Sequence, residues 1–393
     1  MSLNATPSAN RIHISLFGRR NAGKSSLINA ITAQNAAIVS DTPGTTTDPV
    51  SKSMELLPLG PVVITDTPGL DDVGELGEMR VKKALGVLAK TDIAVIVLTP
   101  EHGMGDLEAE LLEKVKKRNV PHIIVANKND VAKVDIEGAV SVSALTGDGI
   151  NALKEKIAAL RPANIVEKPI FSDLVNPGDL VMLVTPIDAS APKGRIILPQ
   201  QQTLRDALDH HILTMVVQDT DVKAALASLA KKPALVITDS QAFAQVARDV
   251  PEDIPLTSFS ILMARLKGFL DTAVKAAHVM NDIKPGDRIL IAEGCTHHRQ
   301  CEDIGTVKIP RWLTAHAGGE LNIDFCSGNT FPEDLSPYRM VIHCGGCMLN
   351  EREVQSRMEN AVGQNIPFIN YGTAIAQMKG ILERSIRPIY SKK

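Results

Sequence analysis

The stretch Gly18-Arg19-Arg20-Asn21-Ala22-Gly23-Lys24-Ser25 sets two glycines, a lysine and a hydroxyl at the spacing G-x-x-x-x-G-K-[ST]. It follows an apolar run, Ile12 to Phe17, and opens a helical pattern. In that context the motif cradles phosphates, because backbone N–H groups of the loop and the positive end of the helix point at the same anion. Lys24 would neutralise phosphate charge, and the Ser25 hydroxyl would hold Mg²⁺. Three tetrapeptides downstream extend this chemistry. Asp66-Thr67-Pro68-Gly69 follows Pro61 to Thr65, where Asp66 can hold Mg²⁺ through water and the Gly69 N–H can meet a γ-phosphate. Asn127-Lys128-Asn129-Asp130 follows His122 to Ala126. The Asp130 carboxylate can accept two hydrogen bonds from N1–H and the 2-amino group of guanine, a donor pair that adenine lacks, while Lys128 can lie across the base. Ser143-Ala144-Leu145 follows Ala139 to Val142 and can offer a backbone N–H to guanine O6. Each motif is weak alone; four in this order, each after an apolar strand, indicate a GTPase domain.

A second set of reactive residues lies in the last quarter of the chain, which holds all five cysteines. Cys295-Thr296-His297 and His343-Cys344-Gly345-Gly346-Cys347 each follow an apolar strand pattern. Carboxyl ends of strands in an open α/β sheet converge on one crevice, so residues distant in sequence can meet there. Cys344-x-x-Cys347 sets two thiolates on one turn, and the glycines let their N–H groups face a metal or its sulfides. Cys295 would be the third thiolate. The fourth position is left to His297, His343, another side chain, water or an external ligand. Three cysteines and one histidine suit tetrahedral zinc; three cysteines equally suit a [4Fe–4S] cluster with one exchangeable iron. Cys326 lies in an apolar strand pattern and reads as core.

The elements that must position these groups are legible as hydrophobic runs. From about 11 to 165, strand and helix signals alternate: Ile12–Phe17, Ser25–Thr32, Val62–Asp66, Leu76–Leu88, Ile93–Thr99, Leu107–Lys117, Ile123–Asn127, Val140–Ser143 and Ile150–Leu160. Continuous Val/Ile runs with helical crossovers predict a parallel sheet covered on both faces. A second α/β unit spans 172–265, with strands near Val181, Met215 and Ala234 and an exposed loop at Ala191-Pro192-Lys193-Gly194-Arg195. A third spans 266–393, with a helix over Leu266–Val279, strands Arg288–Ala292, Tyr338–Ile342 and Pro367–Asn370, and a last helix Ala374–Glu383.

Composition sets outer bounds. A length of 393 residues predicts two or three domains, and 44% hydrophobic residues supply a large core. A net charge of −3 and only 3% aromatics give no basis for a nucleic-acid or anionic-membrane partner. Apolar runs are too short to span a bilayer, and Met1 to Asn10 has no apolar signal core. The expectation is a cytoplasmic protein, whose clustered, odd-numbered cysteines favour metal chemistry over disulfides.

The four nucleotide motifs resemble the Era/TrmE branch of small GTPases. That resemblance implies further roles. Asn21 stands where potassium-activated members place an asparagine ligand for K⁺, and Ala22-Gly23-Lys24-Ser25-Ser26 matches the same subgroup. Gly44-Thr45-Thr46-Thr47-Asp48 resembles its first switch, making Thr46 a second Mg²⁺ ligand. Leu70 stands where Ras-like enzymes carry a water-orienting glutamine, so hydrolysis should be slow unless K⁺ assists. The whole chain, through the combination of these motifs with Cys295-x-His297 and His343-Cys344-x-x-Cys347, resembles the HydF family of [FeFe]-hydrogenase maturation GTPases. The resemblance implies an α/β chain: an N-terminal P-loop GTPase domain with a parallel sheet, a middle dimerisation domain and a C-terminal iron–sulfur cluster-binding domain. It implies that GTP/GDP, Mg²⁺, K⁺ and a [4Fe–4S] cluster are bound, with Cys295, Cys344 and Cys347 as cluster ligands and His297 and His343 near the exchangeable position. A di-iron precursor would be the cargo. Implied partners are apo-[FeFe]-hydrogenase, the radical-SAM maturases HydE and HydG, and a second copy of the chain. The competing reading is an RNA- or ribosome-directed GTPase with a structural zinc module.

Overall fold

The computed structural model describes residues 6–32, 49–71, 75–132, 136–161, 168–187, 196–294, 303–328 and 330–391. The chain divides into two compact units, Met1–Glu167 and Lys168–Lys393.

In the first unit the strands are β1 (Ile12–Phe17), β2 (Val50–Leu56), β3 (Gly60–Asp66), β4 (Ile93–Leu98), β5 (His122–Ala126) and β6 (Ala139–Ser141). They form one sheet in the order β2-β3-β1-β4-β5-β6, parallel except for the β2–β3 pair. Every residue of β1 and β4 is buried, as continuous apolar runs at the centre of a doubly covered sheet require. Alternate side chains feed two clusters. Ile12, Ile14 and Leu16 join Leu27, Leu153 and Ile157, from the helices Lys24–Thr32 and Ile150–Ala159, on one face. Phe17, Ala94 and Ile96 join Leu111 and Val115, from the helix Asp106–Lys117, on the other. β2, for which the sequence carries no apolar run, is an edge strand with Ser51, Lys52, Ser53 and Glu55 exposed. Charges of this kind protect an edge from pairing with another chain.

The second unit carries two fully parallel sheets. One, in the order β10-β9-β7-β8, is built from β7 (Leu180–Val184), β8 (Leu213–Val217), β9 (Leu235–Thr238) and β10 (Leu256–Ser258). The other, in the order β12-β11-β13-β14, is built from β11 (Arg288–Glu293), β12 (Asn322–Ser327), β13 (Met340–His343) and β14 (Phe368–Asn370). One continuous apolar core runs through both, from Ile170 to Ile389. Two helices differ from expectation. The helix expected over Leu266–Val279 starts only at Leu270, because Leu266 ends a separate helix, Phe259–Leu266, and Gly268 between them takes a left-handed φ of +76°. The last helix is two, Tyr371–Met378 and Leu382–Tyr390, parted near Gly380 at φ +70°.

Candidate functional site

The nucleotide motifs meet at the carboxyl ends of β1, β3 and β5 and beyond the end of β6. Gly18 has φ +150°, and a Cβ there would stand 2.4 Å from the Val97 carbonyl oxygen. Gly23 has φ +83°, and a Cβ there would stand 2.3 Å from Asn127 Nδ2. Both positions therefore exclude a side chain. Asn127 is the brace between loops: its Nδ2 donates to the Ala22 carbonyl (2.9 Å), and its Oδ1 accepts from the Ala144 N–H (3.1 Å). The base-reading carboxylate is braced too, since Ser143 Oγ donates to Asp130 Oδ1 (2.5 Å) and accepts from Thr146 N–H (3.1 Å). Lys128 is left-handed at φ +66°, and Leu145 is exposed at the rim.

The phosphate-binding groups are turned on one another. Lys24 is buried and its Nζ donates to the carbonyls of Gly18 (3.0 Å) and Arg19 (2.7 Å). Ser25 Oγ donates to Asp66 Oδ2, so the hydroxyl and carboxylate assigned to Mg²⁺ stand side by side. Burial pushes the Asp66 carboxyl above its usual range, opposed by the Ser25 hydrogen bond. Asn21 is exposed in a left-handed turn at φ +54°, beside Ala22, which is buried, and Ser26, which is half-buried. Gly69 is backed against the loop: a Cβ there would stand 2.8 Å from Arg20 N. Leu70 is buried, and its N–H donates to the Gly18 carbonyl (3.3 Å). Two further contacts lay outside what the motifs suggested. Asp71 Oδ1 accepts from Arg20 N–H (2.6 Å), and Arg19 donates to buried Glu108 through Nε and Nη2 (2.8 and 3.2 Å). Thr46 lies outside the described residues.

The cysteine site forms where β11 and β13 end. These strands run in parallel with Ala292 opposite His343, and Cys344 N–H donates to the Ala292 carbonyl (2.8 Å). Cys344 Sγ accepts two backbone N–H bonds, from Gly294 (3.1 Å) and Gly346 (3.4 Å). Gly346, the second donor, is left-handed at φ +63°, a conformation that favours glycine. Gly294 directly precedes Cys295, but Cys295 and His297 lie outside the described residues. Among the described residues no three metal-ligating side chains cluster. The parts that are described fit an iron–sulfur centre in kind: half-buried thiols at Cys344 and Cys347, and two backbone N–H donors aimed at the Cys344 sulfur.

His343 is engaged at both ring nitrogens. Nδ1 donates to the Cys344 carbonyl (2.7 Å), and Nε2 accepts from Arg357 Nη1 (3.2 Å). Burial, seconded by the Arg357 charge, pushes its pKa down to about 3, so the ring is neutral. In this arrangement the imidazole holds the cysteine turn from behind and offers no nitrogen to a metal. Arg357 in turn donates to Glu353 (2.7 Å) and to the Gly328 carbonyl (2.6 Å). Behind Cys344, Tyr371 donates to the buried Glu293 carboxylate (3.2 Å), and burial holds the phenol well above its ordinary range. Cys326 is buried in the core and its thiol is lifted to about 11, chiefly by burial.

Residues 170–268 match a family described as the hydrogen maturase F dimerization domain, and residues 271–388 one described as the hydrogen maturase F tetramerization domain. The chain belongs to the hydrogen maturase F family. In this hydrogen maturase F chain, residues 13–128 also match a family described as 50S ribosome-binding GTPase, so the first unit is a GTPase domain. The tRNA modification GTPase MnmE of Clostridioides difficile is 33% identical over 156 residues, which cover 37% of this chain and 33% of that protein. GTPase Era of Carboxydothermus hydrogenoformans is 34% identical over 164 residues, covering 38% of this chain and 55% of that protein. The chain thus spans about a third to a half of the length of these curated relatives. A crystal structure of Era in complex with MgGDPNP and a 16S ribosomal RNA segment aligns at 19% identity over 53% of this chain and 94% of that one, with a TM-score of 0.36. No helix among the described residues is long and apolar enough to cross a membrane.

Proposed function

We propose that this chain is a GTP-hydrolysing scaffold and carrier in [FeFe]-hydrogenase maturation. Its second unit would bind a [4Fe–4S] cluster through Cys295, Cys344 and Cys347, receive a di-iron precursor and pass it to the apo-hydrogenase. HydE and HydG would be its radical-SAM partners, and the chain would work as a homodimer in the cytoplasm. Division into a GTP-binding segment (11–165), a dimerisation segment (172–265) and a cluster-binding segment (266–393) is part of this reading. The observation that supports it best is the hydrogen bond from Gly294 N–H to Cys344 Sγ at 3.1 Å. It brings the chain immediately before Cys295 against the sulfur of a cysteine 49 positions further on, at two parallel strand ends.

Within that reading each residue has a distinct task. Cys344 and Cys347 supply thiolates from one turn, and Cys295 supplies the third. His343 stays neutral and clamps the turn, which leaves His297 or an external group for the fourth position. In the GTPase domain Lys24 would release its two carbonyls to take up phosphate charge. Ser25, Thr46 and water on Asp66 would hold Mg²⁺, while Gly69 N–H would meet the γ-phosphate. Asn127, Lys128, Asp130, Ser143, Ala144 and Leu145 would enclose guanine. Asn21 would hold K⁺ among the phosphates, the charge that slow hydrolysis beside an apolar Leu70 requires. GTP can bias cargo transfer only through different affinities for two arrangements of the protein.

The deciding measurement is iron and acid-labile sulfide in protein purified without oxygen. A brown protein with about four irons per chain is expected. Colourless protein with stoichiometric zinc would overturn the carrier role and favour a structural metal module.

A further inference from the structure

The helix Phe259–Leu266 touches the cysteine turn at two places. At its start, Ser260 Oγ accepts from Gly372 N–H (3.1 Å) and from Asn370 Nδ2 (3.0 Å), and a Cβ on Gly345 would lie 3.7 Å from that oxygen. At its end, Lys267 is only 5% exposed, and its Nζ donates to the Leu349 carbonyl (2.8 Å). Leu349 closes the turn around Cys347, since its N–H donates to the Gly346 carbonyl (3.0 Å). The Leu349 side chain also packs on the other half of the site: a Cβ on Gly294 would stand 2.7 Å from Leu349 Cγ. Lys267 itself is fixed by the helix end. Its N–H donates to Met263 O (2.9 Å), its carbonyl accepts from Gln355 Nε2 (3.3 Å), and Gly268 then reverses the chain at φ +76°.

A buried ammonium is costly to desolvate and is retained where it meets negative charge or strong acceptors. Three thiolates around a [4Fe–4S] core leave a net negative centre, more so once reduced, and nearby charge is one of the levers on its potential.

Resting on the cluster reading above, we propose that Lys267 is a positioning residue of the cysteine site: it ties the Cys344–Leu349 turn to the helix Phe259–Leu266 and supplies the positive charge that favours the reduced cluster. It falls within residues 170–268, the stretch that matches the dimerization-domain family, so the cluster site is not contained in residues 271–388 alone.

The test uses the full chain, purified and reconstituted without oxygen, as wild type, Lys267→Met and Lys267→Arg. Methionine keeps length and loses charge; arginine keeps charge. Iron and sulfide are assayed, and the midpoint potential is read from the paramagnetic signal of the reduced cluster during a redox titration. The expected result is a more negative midpoint in Lys267→Met and a midpoint near wild type in Lys267→Arg. Loss of the cluster in Lys267→Met alone supports the same conclusion. An unshifted midpoint in Lys267→Met, or loss of the cluster in both variants, overturns the role of the charge. Wild-type protein without iron and sulfide would instead remove the cluster reading and this inference with it.

Discussion

The phosphate loop and the cysteine turn both sit at the carboxyl ends of parallel strands, yet they are held in opposite ways. In the phosphate loop, the partners of the functional groups belong to the motifs themselves, and only the flanking Arg19 and Arg20 reach outside them, to Glu108 and Asp71. Lys24 bonds Gly18 and Arg19, Ser25 bonds Asp66, and Asn127 bonds Ala22 and Ala144. The cysteine turn leans on residues outside any motif: Gly294, Arg357, Lys267 and Leu349. A site whose supports are also its functional groups can be read from spacing. One whose supports are scattered over a packed core cannot, and its energetics depend on the whole unit around it.

The sharpest way to break the comparison is to remove one sulfur. Cys344→Ala should lose most of the bound iron and sulfide while GTP hydrolysis stays near that of the unaltered chain, because the two sites lie in separate compact units. Equal loss of both activities, by iron assay and phosphate release, would show that the sites are not independent. Next in size is Asn127→Ala. It removes both bonds of the brace and leaves their partners unsatisfied, a cost of about 3 kcal/mol or roughly a hundredfold in GTP affinity. Calorimetric titration with a GTP analogue checks this, and an unchanged affinity would mean that Asn127 is only a packing residue. The smallest effect concerns Cys326. Burial lifts its thiol from 9.0 to about 11, so it is protonated at neutral pH and loses its proton only as pH rises toward that value. At pH 8 its thiolate fraction is about a hundredfold below that of a solvated thiol. Alkylation followed by peptide mass spectrometry should therefore modify Cys326 in urea far faster than in the native protein.

Much of the framework was legible because its signals are local. The buried runs of β1 and β4, the glycines of the phosphate loop and the crossover helices of the first unit need little beyond apolar periodicity and turn chemistry. β2 escaped because an edge strand rich in Ser, Lys and Glu has no apolar run. The helix Glu351–Gly363 escaped for a related reason: its inner face is Val354, Arg357 and Ala361, and the arginine interrupts an otherwise narrow apolar stripe. That arginine is the one that donates to His343, so the residue that hid the helix also holds the site. Lys267 was equally hidden, since the helix expected over Leu266–Val279 placed it in a first turn, where a lysine is ordinarily solvated. A lysine flanked by Ile261 to Leu266 and Phe269, with glycine next to it, was the only available hint.

The single core that threads both sheets of the second unit has a practical consequence for dissection. An expression fragment beginning at residue 271 would lack the tight corner at Gly268, remove Phe269 from the ring of Phe368, which it meets edge-on at 5.7 Å, and lay bare an oily seam. Anyone wishing to isolate the sulfur-bearing half should begin near Lys168, where the second compact unit starts and its core is kept whole.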